Sequence, residues 1–169
     1  MGYSTLMTAM IIDIEGGGIF KFQLIPNTIT DSKSASYTPY NILGRSSPLQ
    51  GYQMSQPRKI DFQGVKLFAS PTANGPPMPP PLIKQQVDFV LSLPYPDYAG
   101  GIKPPHKCLL IFGGNVQMIG VCESASASYE AGTPWDLGPG LTHGVTLSMS
   151  FMEVKDVPID TWTRRAGGF

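Results

Sequence analysis

The sequence predicts an all-β fold, an antiparallel β-sandwich or barrel with one flanking α-helix and long Pro/Gly-rich loops. Three observations predict it. In residues 144–153, Val145, Leu147, Met149, Phe151 and Glu153 alternate with Thr146, Ser148, Ser150 and Met152; a period of two sends the two sets to opposite faces of a strand. Within residues 116–129, Ser124, Ser126 and Ser128 alternate with Ala125, Ala127 and Tyr129 in the same way. The glycine- and proline-rich link between these runs marks an antiparallel pair with a long connection. Helical spacing of apolar residues, by contrast, is convincing in one stretch alone, residues 82–93.

From the start of the chain, residues 9–14 form a short apolar run, Gly16-Gly17-Gly18 a turn, and residues 19–24 a second strand. Period two there places Phe20 and Phe22 on one face and Lys21 and Gln23 on the other. The three glycines carry no phosphate-binding signature, because no Gly-Lys-Ser/Thr or helix start follows them. Pro26 and Asn27 end the second strand, and the polar residues 28–40 read either as a third strand with one wet face or as an arm lying on a neighbour. Residues 39–49 read as irregular and 51–58 as a further loop. Residues 59–69 form a strong strand whose apolar residues change sides near Gly64, which predicts a bulge or bend at that glycine.

Six prolines crowd residues 70–81, a segment expected to run as a stiff polyproline connection and to exclude helix. It leads into the helix 82–93, where Ile83, Val87, Val90 and Leu91 share a face opposite Lys84, Gln85 and Asp88. After a proline-rich loop, residues 108–112 are continuously apolar, the pattern of a strand covered on both faces. Gly113-Gly114-Asn115 then turns the chain back into 116–123. Residues 1–154 are thus read as one β domain, with the proline insert 70–81 and the helix 82–93, and 155–169 as a C-terminal tail that frays or docks on a partner.

Composition narrows the function. A chain of 169 residues can bury a core without staples. Charged residues make up only 14%, and twelve basic side chains cancel twelve acidic ones, so there is no electrostatic footprint for nucleic acid or an anionic membrane. A neutral surface rich in Ser, Thr, Gln, Met and Tyr fits either extensive contact with other protein chains or a sticky monomer. No apolar run reaches the ~20 residues of a membrane helix, and the first residues lack the basic stretch of a signal peptide. Folding in a cytoplasm is the resulting expectation. Cys108 and Cys122 lie in apolar runs and read as buried free thiols.

No catalytic, cofactor or metal constellation is evident. His106 and His143 lack ligand-like spacing to other donors, the carboxylates are scattered, and Ser46 and Ser47 sit outside a nucleophile elbow. Trp135, Trp162 and the tyrosines fit a sugar-stacking platform, a core, or subunit contacts equally well.

A more specific pattern runs through the chain. Phe22-Gln-Leu-Ile-Pro-Asn27, then Ala35-x-Tyr37, then Gly44-Arg45-Ser-Ser-Pro48-Leu49-x-x-Tyr52, resembles the opening of tube-type proteins of contractile injection systems and contractile phage tails, a domain often fused to LysM. Residues 61–67, Phe112-Gly113, Gly120-Val-x-x-Ser124, Thr133-Pro134 and residues 145–153 continue the match. The sequence departs from the pattern with Pro-Asn in place of Asn-Pro and with His143 where an Arg-Ala pair is common. It also runs without a LysM module, so the resemblance lends no support to peptidoglycan binding.

The resemblance implies a non-enzymatic, tail-tube-like structural protein of the virion, assembled in a bacterial cytoplasm. Such a protein forms a hexameric ring layer at the baseplate hub, between the tail tube protein above and hub, spike or wedge proteins below. DNA would be met only in transit, and a membrane not at all. Assembly contacts are expected at Arg45, Tyr52, Trp135, Trp162, Arg164 and Arg165. A lumen-facing role is expected for Ser124, Ser126, Ser128, Thr146, Ser148 and Ser150. The alternative is a monomeric β-sandwich that binds glycans through Trp135, Trp162 and loop tyrosines; an enzyme with a site assembled from distant loops comes last.

Overall fold

The computed structural model describes residues 9–44, 46–69, 78–98, 101–129, 135 and 138–154. Its strands are β1 (Ala9–Asp13), β2 (Ile19–Lys21), β3 (Thr28–Ser32), β4 (Ala35–Tyr40), β5 (Leu49–Ser55), β6 (Lys59–Phe68), β7 (Lys107–Phe112), β8 (Val116–Ser128) and β9 (Gly144–Glu153), with one helix, α1 (Pro80–Ser92), between β6 and β7. Seven strands form an antiparallel sheet in the order β2-β1-β7-β8-β9-β6-β3, and β4 pairs with β5 alone.

The expected sandwich or barrel is not what forms: the described residues make a mixed α/β fold with two open sheets and one helix. The large sheet is open, in that its edge strands, β2 and β3, do not pair with each other. Laid flat, those edges would stand about 29 Å apart at ~4.8 Å per strand. The connection 22–27 reaches at most about 25 Å from Lys21 to Thr28, so the sheet must curl. Residues 22–27 then lie across the gap. Phe22 N–H donates to the Ala9 carbonyl at 3.2 Å and Asn27 N–H to the Gly64 carbonyl at 3.4 Å. The Gln23 side chain imitates a strand neighbour for the end of β6: its Nε2 donates to the Phe68 carbonyl at 2.9 Å and its Oε1 accepts the Phe68 N–H at 2.7 Å. Gln23 is therefore buried, not on the wet face that period two assigned to it, because β2 stops at Lys21 and the alternation stops with it. The second sheet cannot complete a sandwich either, since β4 and β5 touch no other strand or helix.

Curl comes from two irregularities that flank β9. On β6, Gln63 and Gly64 together oppose Ser148, with Gly64 at φ 69°, the left-handed conformation that glycine adopts without a steric penalty. This is the bulge that the change of apolar face predicts. On β8, Glu123 is the extra residue between the pairs Cys122–Phe151 and Ser124–Ser150. Before it the even-numbered Met118 and Cys122 are buried; after it Ala125 and Ala127 turn inward and the serines face out.

The core lies inside the curl. Phe22 is its hub, with ring centroids 5.1 Å from Phe20, 5.3 Å from Phe62 and 5.5 Å from Phe112. Helix α1 covers it with Ile83, Val87 and Val90. The helix begins two residues earlier than expected, at Pro80, because a proline in the first helical turn gives up no intrahelical bond. Residues 70–77 of the proline insert lie outside the described residues. Strand β7 is covered on one face only: Cys108, Leu110 and Phe112 are buried while Leu109 and Ile111 remain half-exposed. Cys108 and Cys122 are free, and burial pushes both thiols up to about 12.

Gln23→Ala removes the acceptor of the Phe68 N–H and one of two donors to its carbonyl, the other being the Met78 N–H at 3.4 Å. Urea unfolding is expected to show a loss of about 1–3 kcal/mol, with near-normal strand content in the folded state.

Candidate functional site

Three surface features could carry function, and each begins in local chemistry. The first is the β4–β5 ribbon. Its base is closed by Gln56 N–H donating to the Ser34 carbonyl at 2.8 Å. Tyr37 stands opposite Tyr52, their rings edge to face at 5.8 Å and 73°. Gly51 leaves room for the Tyr40 ring, which lies where a Cβ would be. Tyr52 and Ser55 share a hydroxyl contact of 2.8 Å. β5 is a strand where a loop is expected from sequence, because LQGYQMS has no apolar alternation: both faces of the ribbon are wet, so nothing selects one. Tyr37 is 56% exposed, Tyr52 59% and Met54 56%, and Tyr40, Ile42, Leu43 and Leu49 are exposed too. A two-stranded ribbon without a packed face is marginal by itself.

The second feature is a hydroxyl ladder on the outer face of β8 and β9. Ser124 stands opposite Ser150, Ser126 opposite Ser148, and Ser128 opposite Thr146. All six expected lumen residues are thus gathered on one surface, the β8 serines exposed and the β9 residues half-exposed. A shallow groove runs between them, with Asp61 and Gln63 of β6 on its border. Ser150 Oγ donates to Asp61 Oδ1. Beside the ladder, Lys59 Nζ meets Glu123 Oε2 at 2.8 Å.

The third was missed from sequence. Asp13, almost fully buried, caps the β1–β2 turn by accepting the N–H groups of Glu15 (3.0 Å) and Gly16 (2.9 Å) on Oδ1. Its Oδ2 lies 2.9 Å from Nδ1 of His106, the residue before β7. Asp-x-x-Gly was a readable turn signal, but its partner lies far along the chain. The pair borders an open cavity of about 370 Å³ shared with Phe89, Ser92, Tyr95 and Asp97. Burial pushes the Asp13 carboxyl up, but the backbone N–H of Gly16, the imidazole and the N–H of Glu15 together hold it below its ordinary value. The hydrogen bond to Asp13 raises the His106 imidazole, against some burial, with further help from the charges of Asp13, Glu15 and Asp97. A buried carboxylate holding a histidine is two-thirds of a nucleophilic triad. The Ser92 hydroxyl in the same cavity, however, donates to the Phe89 carbonyl at 2.7 Å and not toward the imidazole. The pair joins the β1–β2 turn to the start of β7, alongside the Ile14 N–H bond to the Lys107 carbonyl at 3.0 Å.

Of the expected assembly residues, Tyr52 is on the ribbon and Trp135 is exposed, its ring 5.6 Å from that of Tyr129. Arg45, Trp162, Arg164 and Arg165 lie outside the described residues. Among the described residues no group of three or more His, Cys, Asp or Glu could hold a metal ion, and no helix is long and apolar enough to cross a membrane.

Because the folded-state value of His106 is raised, its stabilising contribution is complete below about pH 6.5 and is lost as pH rises through the raised value. That of Asp13 is lowered, so its contribution is present above about pH 3.8 and is lost as pH falls through the lowered value. The stability difference between the native chain and His106→Ala should therefore be largest between about pH 4 and 6.5 and shrink on both sides, in urea titrations run across that range.

Comparison with known proteins gives no match, either to a family model or to a curated protein.

Proposed function

We propose that this chain is a structural component of a contractile phage tail or related injection machine, forming a ring layer at the baseplate hub between the tail tube and the hub or spike. The observation that carries the reading is the β4–β5 ribbon. It displays several large apolar side chains to solvent and touches no other element of its own chain. A ribbon of this kind gains its stability from a partner, and the motif residues Ala35, Tyr37, Leu49 and Tyr52 all sit on it.

The hydroxyl ladder supports the reading from another side. Uncharged Ser and Thr side chains offer hydrogen bonds to water and no cationic grip on phosphate, which suits a surface that a polyanion passes without being held. The near-cancellation of charge over the whole chain agrees. In this reading the partners are copies of the chain in a hexamer, the tube protein on one side and hub, spike or wedge proteins on the other, in a virion assembled in the bacterial cytoplasm. The exposed Tyr129–Trp135 pair is the one observation favouring a monomeric glycan-binding module.

Light scattering over a wide concentration range separates the two. A hexamer, or a population moving toward one as concentration rises, is expected; a chain that stays monomeric throughout and binds glycans in a Trp135-dependent way would displace the ring reading. Replacing Tyr37 and Tyr52 together by serine should abolish the oligomer while shifting the melting temperature of the monomer by no more than a few degrees, because neither ring contributes to the core.

A further inference from the structure

The outer face of the large sheet is divided, and the half away from the hydroxyl ladder is mainly apolar. Ile19 of β2 stands opposite Ile12 of β1, Ile12 opposite Leu109 of β7, and Leu109 opposite Ile119 of β8. One row of branched aliphatic side chains thus crosses four adjacent strands. Met10 and Ile111, paired with each other, extend it. Ile19 is 46% exposed and Ile119 45%, in places where soluble sheets normally carry polar residues.

We propose that this row receives the β4–β5 ribbon of a second copy of the chain, an inference that rests on the assembly reading above and supplies its contact. The row is mainly aliphatic, and strands β4 and β5 of the ribbon carry exposed aromatic and aliphatic side chains and no charged one. Two cations flank the row, Lys21 opposite Met10 and Lys107 opposite Val121, and their long stems let the ammonium groups stay in water at its margin. The other half of the face carries Lys59, Asp61, Lys66 and Glu123 among its hydroxyls, and covering it would strip water from those charges at a cost of several kcal/mol per ion. The ribbon does not reach the row within its own chain. Giver and receiver are thus different surfaces, and the contact is heterologous, the kind that closes into a ring or runs on as a filament.

Area fixes the order of assembly. A half-exposed tyrosine offers on the order of 100 Å², given 150–250 Å² for a whole aromatic side chain. Tyr37 and Tyr52 share one face of the ribbon, and Tyr40 and Leu49 the other, so either face supplies on the order of 200 Å² per partner, well below the ~800 Å² of a stable pairwise interface. One ribbon contact therefore does not hold a dimer. In a closed ring each copy both gives and receives a ribbon, and the last contact forms between groups already held together. The chain passes from monomer to closed ring with little dimer between.

The test places a photoreactive phenylalanine analogue at Tyr52 of the full-length chain and mixes it with an isotopically heavy copy. After irradiation, mass spectrometry maps the adducts. The expected result is attachment to the heavy copy at Met10, Ile12, Leu109 or Ile119, loss of adduct and oligomer with Ile119→Asp, and retention of both with Ser126→Asp. An oligomer whose adducts fall elsewhere overturns this inference and leaves the ring reading standing. A monomer at every concentration, with no adduct to the heavy copy, overturns both.

Discussion

The structure depends on a connection that is too short for a flat sheet. Residues 22–27 join strands that end up at opposite edges of seven, so the sheet must bend until its edges come within their reach. Phe22 uses the crossing to enter the core, with its ring against Phe20, Phe62 and Phe112. Gln23 uses it to satisfy the peptide of Phe68 that a closed sheet would have paired. An unpaired peptide in such a seam costs more than a typical hydrogen bond contributes. One glutamine thus allows a strongly curled sheet to remain open.

Bending requires extra residues on the strands that turn most, and here these sit on either side of β9. Gly64 supplies one through a backbone conformation that other residues adopt only with strain. Glu123 supplies the other and, in doing so, reverses which residues of β8 face inward. Had the alternation continued unbroken, the three serines of β8 would point into an aromatic core without partners, and Ala125 and Ala127 would face water. The bulge settles at once the curvature of the sheet and the chemistry of its outer surface.

That surface is sorted by strand. Hydroxyls gather on β8 and β9, aliphatic side chains on β2, β1, β7 and the first half of β8, and uncharged aromatics on a ribbon that belongs to neither. The core inside is complete, with one continuous cluster from Ile11 to Phe151. Fold stability and surface stickiness are therefore carried by different residues. The Asp13–His106 pair belongs with the first, as a tie between the β1–β2 turn and β7.

The sequence by itself determined the elements whose two faces differ. Strands β6, β8 and β9, the helix face of Ile83, Val87 and Val90, the turn at Gly113 and the bulge at Gly64 were all legible, because burial on one side imposes a period that can be read. The serine set was legible for the same reason. Strand β5 was not, since a ribbon wet on both faces imposes no period, and the Asp13–His106 pair was not, since its members are 93 positions apart. Tertiary structure alone decided that the sheet stays open, that Gln23 is buried, and that Ile12, Ile19, Leu109 and Ile119 form one row. Each of these depends on which strands become neighbours, and strand order follows from long-range packing that local periodicity does not encode.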